Sequence, residues 1–411
     1  MEIIFTDNGL IGKGEHSYTL IKKVGEALTR RGFRHRAFGV KSIDPSIVKE
    51  LGAIPHFSHS LYFGVVPMTK GRSWPSLFDK LRGIDADPNL PSERETFKLL
   101  SASFEQDLAA LPADVWRADN LLIVPAISYN EIAALIKSLL ALPPGRRPRV
   151  VCQLMFPSDW TSWGRSGKLG PALYRKAFAL ARPLIGRTLF FTAENEAIAH
   201  AYRKKFRVEV DILPAPFGDA RPATPITGTP TFGFFGYSKS EKGFHLLPRA
   251  IEICRAQGLE ANFTIQLQHN GWEPATVAAE QHLRRIPDIR LIEGVLSEND
   301  YIAETGRIDA MLLPYDPCLF GVRGSGIFTQ SVAAGRPIIA SAGTFAGTCI
   351  AGGDAEGEVF SPYDARAFAA AILRLSDRLA YSHIRGARLA RNFARKHNAD
   401  AYVDVLVRLA R

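Results

Sequence analysis

A chain of 411 residues with 46% hydrophobic and 22% charged residues has enough apolar material for about two globular domains. Its net charge of +10 favours a partner with negative charge, such as nucleotide phosphates, anionic lipid or nucleic acid, without choosing among them. The four cysteines stand far apart with no CxxC spacing, which argues against a zinc site and against a disulfide framework.

The first predicted elements are a strand, a glycine loop, a helix and a second strand. Residues 2–6 form an apolar run, residues 18–31 carry apolar side chains at helical spacing, and residues 36–40 begin another strand. This order is typical of the start of a doubly wound α/β domain. The loop lacks the GxGxxG pattern, and no acidic residue ends a second strand at the right distance, so a nicotinamide dinucleotide site is not expected.

The glycine loop after the first strand holds Gly12 and Gly14, and Glu15 and His16 follow them at the start of the predicted helix. A substrate bound at the carboxyl ends of the strands would meet these last two side chains. The alternative is that Glu15 only caps the helix and that His16 is solvated.

Residues 54–118 interrupt the α/β rhythm with aromatic residues among glycines and prolines, followed by a helical run over about residues 92–111. Such an insertion can line a pocket, or it can form a capping subdomain with its own small core. His56 and His59 have no third metal ligand nearby, and Asp85 and Asp87 lie in a polar loop rather than after a strand. We therefore expect no metal site.

The rhythm of strands and helices then resumes, with strands predicted over residues 121–124, 150–156, 189–192 and 208–213. Ser128 and Glu131 have the spacing of a capping box for the helix that follows the first of these strands. The loop after residue 156 holds Asp159 and Trp160, and an aromatic face there can stack on a sugar ring or pack as a lid without a ligand. Residues 214–230, rich in Pro, Gly, Ala and Thr, form the predicted linker.

A second domain is predicted from residue 231. Its strands are expected over residues 231–236, 263–267, 289–292, 308–313, 338–340 and 358–360, and residues 376–411 are helical and basic. Ser238, Lys239 and Lys242 crowd the loop before a helix at Phe244. Lysines at a helix N-terminus oppose the helix dipole, and a bound phosphate would reverse that effect. The pattern is therefore as compatible with a diphosphate-binding loop as with an ordinary surface loop.

The segment over residues 308–341 has the order strand, glycine loop, short helix and strand. A helix that begins on Gly324-Ser325-Gly326 points unpaired N–H groups and the positive end of its dipole at the loop. Arg323 can bridge phosphate oxygens with two donors. An ordinary joint between a strand and a helix, with a surface arginine, has the same pattern.

Two doubly wound domains, a proline-rich linker and a long terminal helix together resemble a GT-B glycosyltransferase. The second half is similar to the retaining nucleotide-sugar glycosyltransferases known as family four. Gly236 and the pair Lys242-Gly243 match that family's strand-ending glycine and its Lys-Gly pair, and QSVAAGRP over residues 330–337 matches its E-A-x-A-x-G-x-P helix. The N-terminal run LIGKGEHSYTLIKKVGEALTRRGF is similar to the family's acceptor-side glycine loop and helix.

Three positions depart from the family pattern. Tyr237 stands where the family has arginine, and Val322 and Gln330 stand where it has two glutamates eight residues apart. The second glutamate is expected to hold the ribose hydroxyls, and a neutral glutamine accepts a weaker hydrogen bond than a carboxylate does. The first faces the donor sugar, a role that Val322 cannot take, whereas Arg323 can replace the missing arginine on the diphosphate.

The resemblance also implies a domain division and two binding sites. It implies an acceptor domain over residues 1–213 with the insertion 54–118, a linker over 214–230, a nucleotide-sugar donor domain over 231–390, and a terminal helix over 391–411 that packs back on the first domain. The donor site is assigned to Gly236, Tyr237, Ser238, Lys242, Gly243, Arg323, Gly324, Ser325, Gly326 and Gln330. The acceptor site is assigned to Gly12, Gly14, Glu15, His16 and Trp160.

The function that the resemblance implies is transfer of a sugar from a nucleoside diphosphate sugar to a glycan or lipid-linked acceptor, in bacterial surface polysaccharide or glycoconjugate synthesis. Retention of the anomeric configuration comes from the resemblance alone. Lys242, Arg323 and the amides at Ser325 and Gly326 would stabilise the leaving diphosphate, with no metal and no other cofactor. His16 and Asp159 are the candidate bases.

Other classes of function are open on the sequence. A non-catalytic nucleotide-sugar-binding subunit of a glycosyltransferase complex is favoured by the departures at Tyr237, Val322 and Gln330. An epimerase of the same fold is another alternative, whereas nucleic-acid binding has only the charge in its favour and no recognition motif. No apolar run approaches the roughly 18 residues of a membrane span, and no signal peptide is evident. We expect a cytoplasmic protein whose basic surface suits peripheral contact with the anionic inner face of the cell membrane.

Overall fold

The structure is a computed structural model of the chain and describes residues 1–13, 16–61, 93–160, 169–217, 222, 228–269 and 273–410. The chain divides into two compact units, the first formed by Met1–Pro216 with Ala399–Arg411 and the second by Phe217–Asn398. Each unit is built on a parallel sheet, so the prediction of two doubly wound α/β domains is confirmed.

The first unit has a seven-stranded parallel sheet in the order β3-β2-β1-β4-β5-β6-β7. Every residue of β4 is buried, as expected for a central parallel strand that helices cover on both faces. The strands are β1 (Glu2–Thr6), β2 (Arg34–Val40), β3 (Ile54–Phe57), β4 (Leu121–Val124), β5 (Arg149–Gln153), β6 (Leu189–Ala193) and β7 (Val210–Ile212).

Two helices of the first unit begin at side chains that accept hydrogen bonds from free N–H groups. Asp44 accepts a hydrogen bond from the Ser46 amide at the start of α2, and Asn195 accepts one from the Ile198 amide at the start of α6. The helices are α1 (His16–Arg30), α2 (Pro45–Leu51), α3 (Glu93–Ala109), α4 (Ile132–Ala141), α5 (Gly170–Ala181), α6 (Glu196–Phe206) and, from the C-terminal end of the chain, α15 (Ala399–Leu409).

The segment predicted as an insertion contributes to the sheet itself. Strand β3 pairs with β2 at the edge of the sheet, so the predicted insertion starts inside the α/β framework. Helix α3 lies against this edge, where Phe104 stacks on Phe57 at 5.5 Å. The sequence hides β3 because Ile54–Phe57 is short and contains a proline, which is tolerated on an edge strand.

The second unit has a six-stranded parallel sheet in the order β10-β9-β8-β11-β12-β13. A core of phenylalanine and aliphatic side chains on one face includes Phe232, Phe234 and Phe263. The strands are β8 (Thr231–Phe234), β9 (Asn262–Leu267), β10 (Ile289–Glu293), β11 (Ala310–Leu313), β12 (Ile338–Ser341) and β13 (Gly357–Phe360).

The helices of the second unit follow its strands in chain order, and two 3-10 turns, Ser240–Lys242 and Phe244–Leu246, precede the first of them. The helices are α7 (Leu247–Ala256), α8 (Pro274–Leu283), α9 (Glu298–Gly306), α10 (Pro317–Phe320), α11 (Gly326–Ala333), α12 (Phe345–Gly352), α13 (Ala365–Asp377) and α14 (Leu379–Lys396).

The terminal helical region consists of two helices rather than one over residues 391–411. Helix α14 runs through residue 396 in the second unit, and α15 follows after a two-residue break and belongs to the first. Within the first unit, α15 is held to the end of α1 by ion pairs from Arg30 to Asp400 at 3.2 Å and from Arg31 to Asp404 at 2.8 Å.

Each sheet has one point at which the strand order reverses. In the first unit this point lies between β1 and β4, and in the second it lies between β8 and β11. The loops at the carboxyl ends of the two strands diverge there and leave a crevice, which is where open α/β sheets bind ligands. We therefore expect the functional residues in the loops after β1, β4, β8 and β11.

Candidate functional site

The loop after β8 has a backbone path that two glycines make possible. Gly236 has φ +88° and Gly243 has φ +70°, both in the left-handed region that favours glycine. A Cβ on Gly243 would lie 1.8 Å from the carbonyl oxygen of Pro314, at the end of β11. The amide of Gly236 donates to Gln266 Oε1 at 2.8 Å. These contacts fix the loop against both neighbouring strands.

Lys242 ends the 3-10 turn of this loop and turns its ammonium back towards the end of β8. The Nζ atom lies 3.2 Å from the position that a Cβ on Gly236 would take, and 6.0 Å from the centre of the Tyr315 ring. Burial lowers the pKa of Lys242 to about 8, and Lys239 and Arg323 add repulsion that Glu241 opposes. A buried cation next to other cations is a good anion ligand, because a bound phosphate removes that repulsion.

Arg323 stands in the loop after β11 and faces the same crevice. Its Nη1 lies 3.6 Å from Glu241 Oε2, and its guanidinium lies 4.3 Å from the centre of the Phe320 ring. Only 16% of the Arg323 side chain is exposed. The structure thus brings Lys242 and Arg323 close enough to repel one another, although they are distant in sequence.

Ser238 has a structural role in the loop after β8. It is buried, its hydroxyl donates to the carbonyl of Gln266 at 3.0 Å, and its amide donates to the carbonyl of Gln268 at 2.7 Å. The amide of Gln268 donates back to the hydroxyl at 3.1 Å. The hydroxyl predicted to bind the donor therefore holds the ends of β8 and β9 together.

The start of α11 presents its amides to the loop that carries Arg323. Ser325 is the N-cap residue, but its side chain makes no capping bond and instead lies 3.2 Å from the hydroxyl of Tyr315. No atom lies within 4 Å of the position that a Cβ on Gly326 would take. The first turn of α11 is thus open beside Gly324 and Arg323, in the arrangement that favours an anion.

Gln330 lies one turn further along α11 and is already engaged. Its Oε1 accepts a hydrogen bond from the hydroxyl of Tyr301 on α9 at 2.7 Å. Of the other two departures from the family pattern, Tyr237 lies beside Lys239, whose ammonium is 5.1 Å from the ring centre. Val322 precedes Arg323 in the loop after β11.

A shallow hollow beside Arg323, with Tyr315, Phe328 and Phe345 among its lining residues, has a cavity volume of about 0 Å³. Ligand pockets for drug-sized molecules usually measure about 300–1,000 Å³. This hollow is therefore too small to enclose a nucleotide within the second unit, although it adjoins the predicted phosphate ligands.

Of the predicted acceptor residues, Gly12 and His16 lie in the connection from β1 to α1. Gly14 and Glu15 fall outside the described residues, whereas Gly12 is described and has open space at its Cβ position. His16 begins α1, and burial lowers the pKa of His16 to about 4. Its imidazole is therefore neutral at physiological pH, and it is a weak proton acceptor there.

Asp7 directly follows β1 and is fully buried. Burial raises the pKa of Asp7 to about 6, although hydrogen bonds from the Ser17 side chain and the Gly9 amide act in the opposite direction. The Gly9 bond measures 2.7 Å. A carboxyl group that titrates near neutral pH at the reversal point of the sheet was not among the candidates that the sequence offered.

Trp160 belongs to a small hydrophobic cluster. It is 8% exposed, and its ring is stacked on Phe156 with centres 3.9 Å apart, next to Leu61 and Ala126. One face of the indole is therefore covered by protein, which favours the packed alternative over the sugar platform. Asp159 directly precedes Trp160. Burial is the main cause of the raised pKa of Tyr202, and the charge of Asp159 raises that pKa further.

Ser128 and Glu131, predicted as a capping box, contact one another in the loop after β4. The amide and the hydroxyl of Ser128 both donate to Glu131 Oε2, at 3.0 and 2.6 Å. The Ser128 hydroxyl in turn accepts a hydrogen bond at 3.1 Å from the amide of Asn130, whereas a capping box would use the amide of Glu131. Burial raises the pKa of Glu131 to about 7.

The two histidines considered as metal ligands bind α3 instead. His56 Nε2 lies 2.7 Å from the carbonyl oxygen of Asp107, and His59 Nδ1 lies 2.7 Å from the hydroxyl of Ser103. Asp85 and Asp87 lie outside the described residues. Within the ranges that the structure describes, no three His, Cys, Asp or Glu side chains cluster as a metal site would require.

Sequence reasoning missed three side chains that shape the site of the second unit. Glu241 pairs with Arg323, Gln266 accepts from the Gly236 amide, and Tyr301 donates to Gln330. Of these three, only Glu241 could have been found from the sequence, because it directly precedes the predicted Lys-Gly pair. The other two reach the site from β9 and α9 through tertiary contacts.

Among the described helices, none combines the length and apolar character needed to cross a membrane.

Comparison with known proteins supports the same architecture. The model of the family described as "Glycosyl transferases group 1" matches residues 229–378, most of the second unit. No curated protein sequence matches the chain. Among solved structures, sucrose-phosphate synthase from Thermosynechococcus elongatus is similar with a TM-score of 0.66 at 13% identity, covering 100% of this chain and 98% of that one.

Two further solved structures extend the likeness. HepE from Anabaena, solved in complex with UDP, has a TM-score of 0.63 at 12% identity, with 99% of each chain covered. The lipopolysaccharide outer core galactosyltransferase WaaB has a TM-score of 0.58 at 12% identity, with 100% of this chain and 99% of that chain covered. At these identities the likeness shows the fold, which is GT-B.

Proposed function

We propose that this GT-B chain is a glycosyltransferase that moves a sugar from a nucleoside diphosphate sugar to a glycan or lipid-linked acceptor. The observation that carries the proposal is the proximity of the cations Lys242 and Arg323 at the reversal point of the second sheet, beside the open first turn of α11. The match of residues 229–378 to glycosyl transferases group 1 supports it.

The donor diphosphate would lie against the loops after β8 and β11. Glycosyl transfer breaks the bond between the anomeric carbon and the diphosphate oxygen, and negative charge develops on the departing diphosphate. Lys242, Arg323 and the amides at the start of α11 would stabilise that charge with fixed groups, so the step would not depend on a divalent cation. The acceptor oxygen would then bond to the anomeric carbon and lose its proton.

The acceptor would lie at the reversal point of the first sheet, near Gly12 and His16. With a pKa of about 4, His16 would gain little by taking a proton at neutral pH. We therefore assign it the role of orienting an acceptor hydroxyl through a neutral imidazole, and we keep Asp159 as the candidate base. Retention of anomeric configuration is part of the proposal and rests on the resemblance to family four.

A role in bacterial surface polysaccharide or glycoconjugate synthesis would fit this activity. WaaB, one of the structures of the same fold, is a lipopolysaccharide galactosyltransferase, and HepE has been solved with UDP. The net charge of +10 suits an acceptor presented at an anionic membrane surface, on the cytoplasmic side where nucleotide sugars are made.

The first test is a calorimetric titration of the purified chain with UDP, GDP, ADP and dTDP, with and without magnesium. We expect micromolar binding of one nucleotide, unchanged by magnesium. Binding to none of the four would contradict the donor site. Binding that appears only with magnesium would contradict the proposed role of Lys242 and Arg323 as the charge partners of the diphosphate.

A second candidate function is a nucleotide-sugar-binding subunit without its own catalysis. The specific observation in its favour is that Gln330 is neutral and already bonded to Tyr301, and that Val322 has no group that could face a donor sugar. Turnover of the corresponding nucleotide sugar, with release of the nucleotide by the purified chain, separates the two functions. Binding without release would favour the subunit.

A further inference from the structure

Helix α14 carries one row of exposed side chains along its length. Tyr381, Ile384, Arg388, Arg391 and Arg395 recur at spacings of three and four residues and so share one face, which we call the α14 stripe. Tyr381 is 58% exposed and Ile384 is 73% exposed, and the three arginines are exposed as well. The stripe extends over about 21 Å of helix.

The opposite face of α14 is packed, so the stripe has a fixed orientation within the second unit. Leu379, Ser382 and Gly386 are buried. A Cβ on Gly386 would lie 2.1 Å from the carbonyl oxygen of Gly335, so the two backbones touch. Because the helix cannot turn about its axis without breaking this contact, the five stripe residues point outward together.

The stripe is positively charged, and no carboxylate among the described residues neutralises it. Helix α14 contains five basic residues and no acidic one. The carboxylates next to it, Glu356 and Glu358, pair with Arg378 and with Arg385, at distances of 2.6 to 3.3 Å. In the described part of the chain, Arg388 and Arg391 have no carboxylate within 4 Å, and Arg395 donates to the Asn392 side chain at 2.6 Å.

A straight basic row that ends in an exposed tyrosine and an exposed isoleucine matches the chemistry of an anionic bilayer surface. We propose that the α14 stripe docks the chain on anionic lipid, with the arginines against the headgroup phosphates and with Tyr381 and Ile384 at the boundary with the acyl chains. A nucleic acid would also attract the arginines, but its phosphate backbone would leave Ile384 in water. The lipid surface accounts for both halves of the stripe.

Docking of the α14 stripe on anionic lipid does not depend on the donor site. Vesicle binding requires no nucleotide, so it can succeed or fail independently of sugar transfer. If both hold, the enzyme would work at the surface where a lipid-linked acceptor is found.

The first experiment is co-sedimentation of the full chain with vesicles of phosphatidylcholine alone or mixed with phosphatidylglycerol. We expect binding to the mixed vesicles only, and binding that weakens as salt is added. The variant Arg388→Gln/Arg391→Gln/Arg395→Gln should bind about a hundredfold more weakly, the size expected for three surface cations. The control Arg249→Gln/Arg285→Gln/Arg366→Gln removes the same charge from exposed positions elsewhere in the second unit and should bind nearly as wild type.

The second experiment reports on contact directly. Ile384→Trp should show a blue shift of tryptophan emission, relative to wild type, when the mixed vesicles are added. Val295→Trp, at a position that is 71% exposed in the same unit, should show none.

Three outcomes would overturn the proposal. They are equal losses of vesicle binding in the two triple variants, an unshifted Ile384→Trp spectrum, or binding of the stripe to duplex DNA or RNA without binding to vesicles. Melting temperatures of both triple variants near that of wild type would exclude unfolding as the cause of any loss.

Discussion

The hydroxyl of Tyr301 donates a hydrogen bond to Oε1 of Gln330 at 2.7 Å, from α9 to α11. Burial raises the pKa of Tyr301, so this phenol stays protonated and keeps its role as donor at physiological pH. The side-chain oxygen of Gln330 already accepts this bond, so its amide nitrogen and one remaining lone pair are what it can present to a ligand. A glutamate in its place would keep one oxygen on Tyr301 and offer the second to ribose hydroxyls.

The first prediction concerns this pair. Gln330→Glu should bind the preferred ribonucleoside diphosphate about fivefold more tightly, because a charge-assisted hydrogen bond exceeds a neutral one by about 1 kcal/mol. Calorimetry with the ribose and 2′-deoxyribose forms is the measurement, and the gain should be smaller for the deoxy form. Equal gains for both forms would place the ribose away from Gln330.

The second prediction concerns the two cations. Lys242→Ala and Arg323→Ala should each weaken nucleoside diphosphate binding by roughly 1–3 kcal/mol, the range for a lost hydrogen bond to a charged group. Lys176→Ala and Arg366→Ala remove the same charges from exposed helix surfaces and serve as controls. Unchanged affinity in both site variants would mean that the phosphates bind elsewhere.

The third prediction is a pH dependence of binding. Lys242 has a pKa of about 8 in the free protein, and a bound diphosphate would raise that pKa because it stabilises the ammonium. Affinity should therefore be flat below pH 8 and fall by up to about tenfold for each pH unit above it, since binding then takes up a proton. Titrations between pH 6.5 and pH 9.5 would measure this pH dependence, because the range extends roughly one and a half pH units on either side of the shifted pKa.

A matched variant isolates the group responsible for this pH dependence. Lys242→Arg keeps the positive charge throughout the range, because arginine does not lose its proton. It should bind with no decline above pH 8. A decline of the same size in Lys242→Arg would assign the titration to another group.

The fourth prediction concerns Gly243. An alanine there would place its Cβ 1.8 Å from the carbonyl oxygen of Pro314 and would hold φ at +70°. Overpacking and left-handed strain together should lower the free energy of unfolding by about 2–4 kcal/mol. Gly353→Ala is the control, since Gly353 has φ +79° but open space at its Cβ position, and it should cost about 1 kcal/mol. Equal losses in chemical denaturation would show that the Pro314 contact relaxes freely.

The fifth prediction concerns Asp7, whose pKa rises from 3.8 to about 6 on folding. The folded state holds a proton that the unfolded state has lost, so stability falls as pH rises from about 4 to about 6 and is then constant. Asp7→Asn removes this slope. Its free energy of unfolding relative to that of wild type should therefore be about 2–3 kcal/mol greater above pH 6 than at pH 4. Urea denaturation of both proteins at several pH values is the measurement. A pH-independent difference would contradict the raised pKa.

Local patterns in the sequence were sufficient for the order of strands and helices in both units. The alternation of apolar runs with helical spacing depends on neighbours within a few residues, as does the left-handed turn of the backbone at Gly236 and Gly243. The elements that were missed are short or lie at an edge. Strand β3 is the example, because four residues with a proline carry no periodic signal.

The candidate site could be anticipated only in part, since several predicted ligands have structural partners. Ser238 was placed on the donor from its position beside Lys242, yet its hydroxyl joins β8 to β9. Trp160 was weighed as a sugar platform, yet its ring is stacked on Phe156. Sequence neighbours do not reveal these contacts, because the partners belong to other strands or to the rest of a loop.

The sequence by itself determined that the chain forms two doubly wound α/β units, and it marked the two loops that carry Lys242 and Arg323. Tertiary structure decided that these loops meet, because β8 and β11 are adjacent at the reversal point of the sheet although about eighty residues separate them. It also paired Glu241 with Arg323 and placed the Tyr301 hydroxyl on Gln330. Secondary structure follows from interactions within a few residues, whereas the charges and hydrogen bonds of a site depend on which strand ends the sheet brings together.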